Sequence, residues 1–171
     1  HSADRKKIAE MIVGKKIDYP RKTKIPRKSM VLSLLNVSYN KTDAPNLSAI
    51  NLNLYGGQIL GIAGVAGNGQ TTLAKILSGH LKATRGKIIF EGAGNVLVSP
   101  KIFMDLGVAY IPEDRNSDGI VGDMEIWENA IMTEMDDRFF RNSLGIINRK
   151  TSFGRSKELC ETYDVRMQSI R

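Results

Sequence analysis

Between Gly64 and Thr71 the chain reads GVAGNGQT, which fits the phosphate-binding template G-x-x-x-x-G-K-[ST] at every position but one. Gln70 stands where the template has lysine. A loop of this kind brings several backbone N–H groups within hydrogen-bonding reach of anionic oxygens. Side chains would block that approach and disfavour the positive φ angles the loop needs, so Gly64, Gly67 and Gly69 fall where glycine is required. Such a loop then opens a helix, whose N-terminal N–H groups and dipole favour negative charge. Thr71 follows where a hydroxyl can ligate Mg²⁺. Spacing and flanking pattern agree, so the stretch reads as a phosphate cradle rather than a bare glycine-rich turn.

The missing lysine removes a full positive charge. At ~4 Å and an effective dielectric of ~20, one such charge pair is worth roughly 4 kcal/mol before desolvation. An amide can donate a hydrogen bond there, but it cannot neutralise charge as a phosphoryl group transfers. The expectation is nucleotide binding without efficient turnover. No catalytic residue is assigned.

The elements around the loop suit that role. "QILGIAG", ahead of it, is a nearly continuous apolar run and predicts a strand covered on both faces. After it, Leu73, Ile76, Leu77 and Leu81 recur at helical spacing, with Gly79 near the helix end. Upstream, "MVLSLLNVSY" is β-rich, and Ile50, Leu52 and Leu54 alternate with polar residues as in a half-buried strand. Downstream, "GKIIFEG" predicts a strand closed by glycine. Ser99-Pro100 predicts a capped helix start, with Gly107 closing that helix. "GVAYIPEDR" predicts a strand running into a loop. "EIWENAIMTEM" and "TSFGRSKELCETY" are helical patterns, and "RKKIAEMIV" predicts a helix ended by Gly14.

Of 171 residues, 42% are hydrophobic and 25% charged, the balance of an ordinary globular domain with a real core. The net charge of +7 could suggest a nucleic-acid partner, but its distribution argues against one. Residues 1–28 hold ten basic side chains against Asp4, Glu10 and Asp18, whereas the rest balance at fifteen of each sign. The excess belongs to an N-terminal arm read as a solvated linker. Tyr19 is the one aromatic residue among its lysines, short of a base-stacking platform. A lone cysteine, Cys160, rules out an internal disulfide and fits a small buried role. No run of about 18 apolar residues predicts a membrane span, and no signal peptide is read. "NKTD" at residues 40–43 matches a guanine-reading motif but precedes the loop it would have to follow, so it is set aside.

Taken together, these motifs resemble the ATP-binding domain of ABC transporters. More narrowly, they are similar to the second nucleotide-binding domain of the tandem ATPase subunits that import simple sugars and nucleosides. "GGQILGIAGVAGNGQTTL", "LSGHLKATRGKIIFEG" and "GVAYIPEDRNSDGIVGDMEIWENAIM" carry the likeness, and "IAEMIVGKKIDY" resembles the tail of a first domain and its linker. The resemblance implies an α/β P-loop NTPase fold of ABC type, divided as linker 1–28, nucleotide-binding core 29–122 and the start of a helical subdomain at 123–171. It implies ATP and Mg as ligands, held by Gly64, Gly67, Asn68, Gly69, Gln70, Thr71 and Thr72, with Tyr39 stacking on adenine. Thr71 and Glu113 would approach the metal, Glu113 standing where most ABC domains have a glutamine. Trp127 falls where the family contacts its permease, and equally suits a packed subdomain core.

The implied partners are a first nucleotide-binding domain of the same chain and transmembrane permease subunits, at the cytoplasmic face of the membrane. The family's signature segment, Walker B aspartate, catalytic glutamate and switch histidine are not found, and His80 lies too near the loop to serve as the last. The sequence is therefore expected to be a piece of a motor domain, not catalytic alone. A scaffold of the same fold that has lost nucleotide binding is the alternative. An independent small-molecule kinase is disfavoured, because Gln70 removes the charge donor and no base accompanies it.

Overall fold

The computed structural model describes residues 5–14, 26, 28–135, 140–142, 144–167 and 169. They fall into two compact units, His1–Leu106 and Gly107–Arg171. The division precedes the expected boundary between residues 122 and 123, so Glu113 belongs to the second unit.

In the first unit, helix α1 (Arg5–Val13) ends at Gly14 in the left-handed region, as predicted. Most of the linker expected at Lys15–Lys28 lies outside the described residues. Strand β1 (Met30–Tyr39) pairs antiparallel with β2 (Leu47–Tyr55) on one side and β3 (Arg85–Phe90) on the other. A two-residue β4 (Gly94–Asn95) extends the sheet to the order β2-β1-β3-β4. In β1 the core residues are Leu32 and Leu34, then Val37 and Tyr39. The change from even to odd numbers is produced at Asn36, which takes φ 50° and shifts the register so that apolar side chains stay on the core face. Asn51 holds this irregularity. Its Oδ1 accepts from the Asn36 N–H at 2.9 Å, and its Nδ2 donates to Asn36 Oδ1 at 3.0 Å. Gly86 answers the same kink from β3. It sits at φ +91°, and a Cβ there would lie 2.5 Å from the Asn36 carbonyl oxygen.

Helix α2 (Gln70–Leu77) buries Thr72, Leu73 and Ile76. Helix α3 (Pro100–Asp105) starts at Ser99, whose Oγ accepts from the Ile102 N–H at 3.2 Å. The α3 residue Phe103 meets Phe90 of β3 edge-on at 5.1 Å. Two predicted strands are not formed. The runs at 58–64 and 107–112 have no ladder partner among the described residues, and a strand covered on both faces exists only through such neighbours. Their apolar side chains stand in solvent instead: Ile59 is 97% exposed and Ile111 82%.

The second unit is helical. Asp114 caps the single turn α4 (Arg115–Asp118), accepting from the N–H groups of Asn116 and Ser117. Helix α5 (Ile126–Ile131) packs Trp127 and Ile131 with Phe140, and Met135, Ile147 and Phe153 close around them. Helix α6 (Arg149–Thr162) is capped by Asn148 and buries Ser152, Ser156 and Cys160 on one face. Cys160 thus has the small buried role expected of it. Among the described residues no helix is long and apolar enough to cross a membrane.

Candidate functional site

Gly69 joins the loop to α2. Its φ of 91° and ψ of 8° are left-handed, and a Cβ there would strike the Leu47 side chain at 2.6 Å. No side chain caps α2, and its first internal bond runs from the Leu73 N–H to the Gly69 carbonyl at 2.8 Å. The helix start is thereby left to backbone N–H groups, the arrangement that suits an anion. Gly67 is left-handed as well, at φ +87°, with open space where a Cβ would go. The loop residues 61–68 are all exposed.

The expected ligands take specific positions. The Gln70 amide folds back over the loop and donates to the Val65 carbonyl at 3.3 Å. Gly64 permits this, because a Cβ there would collide with the amide nitrogen. Thr71 is exposed at the helix start, while Thr72 is buried and its hydroxyl donates to the Pro45 carbonyl at 3.0 Å. Of Thr72, only the backbone is left to meet a ligand. Asn68 is exposed, and its N–H closes a turn on Val65 at 3.2 Å.

Tyr39 differs from expectation. It is 1% exposed, and its hydroxyl donates to Asp43 at 2.7 Å, so no face of the ring is open to a base. The bond holds the Asp43 carboxyl below its ordinary value and raises the tyrosine above its own. The cause lies in β1, where the position after Val37 and Ser38 points into the core.

In the second unit, Glu113 is exposed and lines a shallow cleft of about 340 Å³ with Asp114, Arg115, Asn116 and Ile120. The N–H bonds from Ser117 and Asn116 lower the Asp114 carboxyl. No cluster of three or more metal-ligating side chains occurs among the described residues. A cation at the loop would therefore depend on a hydroxyl such as that of Thr71 together with ligand oxygens. Trp127 is packed: 3% exposed, stacked on Phe153 at 5.0 Å, its Nε1 donating to Glu125. His80 lies beyond the end of α2, where its Nδ1 is 2.9 Å from Ser78 Oγ.

Sequence reasoning overlooked a groove in this unit, lined by Glu125, Arg149, Lys150 and Phe153, of about 530 Å³. The "RK" that follows the Asn148 cap was the available signal, since cations are disfavoured in a first helical turn.

The ABC transporter family model matches residues 47–167. The chain is 33% identical over 162 residues to the glucose import ATP-binding protein TsgD13 of Haloferax volcanii, covering 93% of this chain and 29% of that protein. It is 32% identical over 154 residues to the ribose import ATP-binding protein RbsA of Clostridium tetani, covering 89% and 28%. It is 27% identical over 161 residues to the guanosine import ATP-binding protein NupO of Bacillus subtilis, covering 93% and 31%. The chain thus spans less than a third of the length of these relatives. In fold it is similar to cbiO1 from Clostridium perfringens, part of the ABC transporter complex cbiONQ. The TM-score is 0.51 at 20% identity, over 81% of this chain and 52% of that one.

Proposed function

This chain belongs to the ABC transporter family, and from that premise we propose that it is a nucleotide-binding portion of the ATP-binding component of an importer for sugars or nucleosides. The observation that carries the reading is the uncapped start of α2 behind left-handed Gly67 and Gly69, where N–H groups gather on an exposed loop. In this reading the backbone from Gly64 to Thr72, with Asn68 among it, wraps the phosphates of ATP. Thr71 offers its hydroxyl to Mg²⁺. Tyr39 is left out, its ring being buried.

The proposal assigns this domain to the second, degenerate position in its parent, where Gln70 permits binding but supplies no charge for phosphoryl transfer. Residues 1–28 then link it to a first nucleotide-binding domain, and permease subunits are its membrane partners. That the similar proteins are import ATP-binding proteins for glucose, ribose and guanosine supports the importer class.

A scaffold that no longer binds nucleotide is favoured by one observation, the Gln70 amide turned inward onto Val65. Calorimetric titration of Mg-ATP into the folded chain separates the two. Saturable binding that is lost on Gly69→Val is expected. An absence of saturable heat from a folded sample rejects nucleotide binding by this chain.

A further inference from the structure

We infer that Gln70 makes the loop at 64–72 selective for a nucleoside diphosphate over the corresponding triphosphate. The inference rests on the nucleotide reading above and names which nucleotide the loop is built to hold.

A phosphate-binding loop has two parts with different tasks. Its backbone N–H groups cradle the α- and β-phosphates, and the lysine of the template reaches the β- and γ-phosphates. This chain has the first part. Gly67 and Gly69 are left-handed, and α2 starts without a side-chain cap, so its first N–H groups are left for a ligand. The part that serves the γ-phosphate is missing. Gln70 is neutral, and its amide packs over Gly64 and donates to the Val65 carbonyl at 3.3 Å. It braces the loop from within instead of reaching outward.

No neighbour in the surrounding sequence supplies the lost charge. Between Asp43 and Lys75 the chain has no charged side chain at all. That stretch includes the loop and also the segment packed against it. Leu47 and the Asn46 carbonyl border Gly69, and the Pro45 carbonyl takes the Thr72 hydroxyl at 3.0 Å. Of the two residues that bound the stretch, Asp43 is an acid bonded by Tyr39. Lys75 stands in the last turn of α2, at the pole of the helix dipole that favours cations. Within this stretch the attraction for an anion comes from N–H groups and a partial charge of roughly +0.5 at the helix start. A diphosphate suits that field better than a triphosphate. The extra charge of the triphosphate would lose hydration at the loop and meet no counter-charge. A loop with this preference is filled by the product of ATP hydrolysis, and follows the ratio of diphosphate to triphosphate without consuming either.

Calorimetric titration of the full 171-residue chain with Mg-ADP and, separately, with Mg-ATP reads the preference. Mg-ADP should bind about fivefold more tightly than Mg-ATP, and Gln70→Lys should reverse that order, because an ammonium there reaches the γ-phosphate. Gln70→Arg is the second variant. Either cation should raise the ratio of ATP to ADP affinity about tenfold, in samples shown to be folded by circular dichroism. Mg-ATP binding as tightly as Mg-ADP, or more tightly, in the unsubstituted chain overturns the inference and leaves the nucleotide reading standing. A preference for Mg-ADP that neither substitution moves also overturns it, since the selectivity then lies away from residue 70. Saturable binding of neither nucleotide overturns both the inference and the reading beneath it.

Discussion

Replacing Gln70 by lysine tests the nucleotide reading where it is most exposed to failure. The upper bound on the gain is roughly 4 kcal/mol, for one charge pair at ~4 Å and an effective dielectric of ~20. The structure reduces it. Residues 61–68 are all exposed, so water and salt reach the new ammonium, with a screening length of about 8 Å at physiological ionic strength. The substitution also gives up the amide bond to Val65, worth about 1 kcal/mol if lysine does not replace it. A net gain of about 1–2 kcal/mol remains, so Mg-ATP should bind about five- to thirtyfold more tightly. Calorimetry on both proteins at low and physiological salt measures this, and the ratio should shrink as salt rises. Unfolding free energies should agree within about 1 kcal/mol, the amide bond to Val65 being the one interaction lost. Equal or weaker affinity in a stably folded Gln70→Lys variant would refute the argument, because the side chain at 70 would then not face a bound phosphate.

Three further outcomes follow from the packing. Gly86→Ala forces a Cβ to 2.5 Å from the Asn36 carbonyl oxygen at φ +91°, and should cost about 2 kcal/mol or more in urea unfolding. Ile131→Ala empties a fully buried site beside Trp127 and should cost about 2–5 kcal/mol, with red-shifted tryptophan emission in the folded state. The bond from Tyr39 lowers the Asp43 carboxyl, so its stabilisation is present above the ordinary value of 3.8 and is lost as pH falls through the lowered one. The same bond raises Tyr39, so that part is present below 10.0 and is lost as pH rises through the raised value. Asp43→Asn should therefore flatten the acid limb of a stability–pH curve followed by urea unfolding. Some slope should persist, because Asp114 is lowered in the same direction.

Elements with local causes were legible in the sequence. The alternation of Ile50, Leu52 and Leu54 gave half-buried positions on β2, and Ser99-Pro100 gave a capped helix. Gly14 and Gly107 stand just past their helices at positive φ, where the sequence put the stops. Gly67 and Gly69 were legible because a left-handed backbone demands that residue type. The runs at 58–64 and 107–112 were misread because a buried strand is defined by neighbours, and apolar composition says nothing of whether they are present. Tyr39 was misread for a related reason. The kink at Asn36 reverses which face of β1 the later residues occupy, and the asparagine in "LLNVSY", a residue type that tolerates positive φ, was its only signal. The groove at Arg149 and Lys150 was missed because the cations after Asn148 were its one signal in the sequence, and its walls come from Glu125 and Phe153, which only the fold brings there.

The irregularity of the β1–β2 pair has a consequence for self-association. In the order β2-β1-β3-β4, β2 lies at the border of the described sheet, and a straight border strand would template an extended segment from a second copy. This one is not straight. Asn36 and Ala49 both sit at positive φ, and the pairing changes register between Leu34 and Val37 and again before Tyr39. An incoming strand would match one short stretch of N–H and C=O groups and then fall out of step. The kink that steers Val37 and Tyr39 into the core thereby also keeps the border of the sheet from growing.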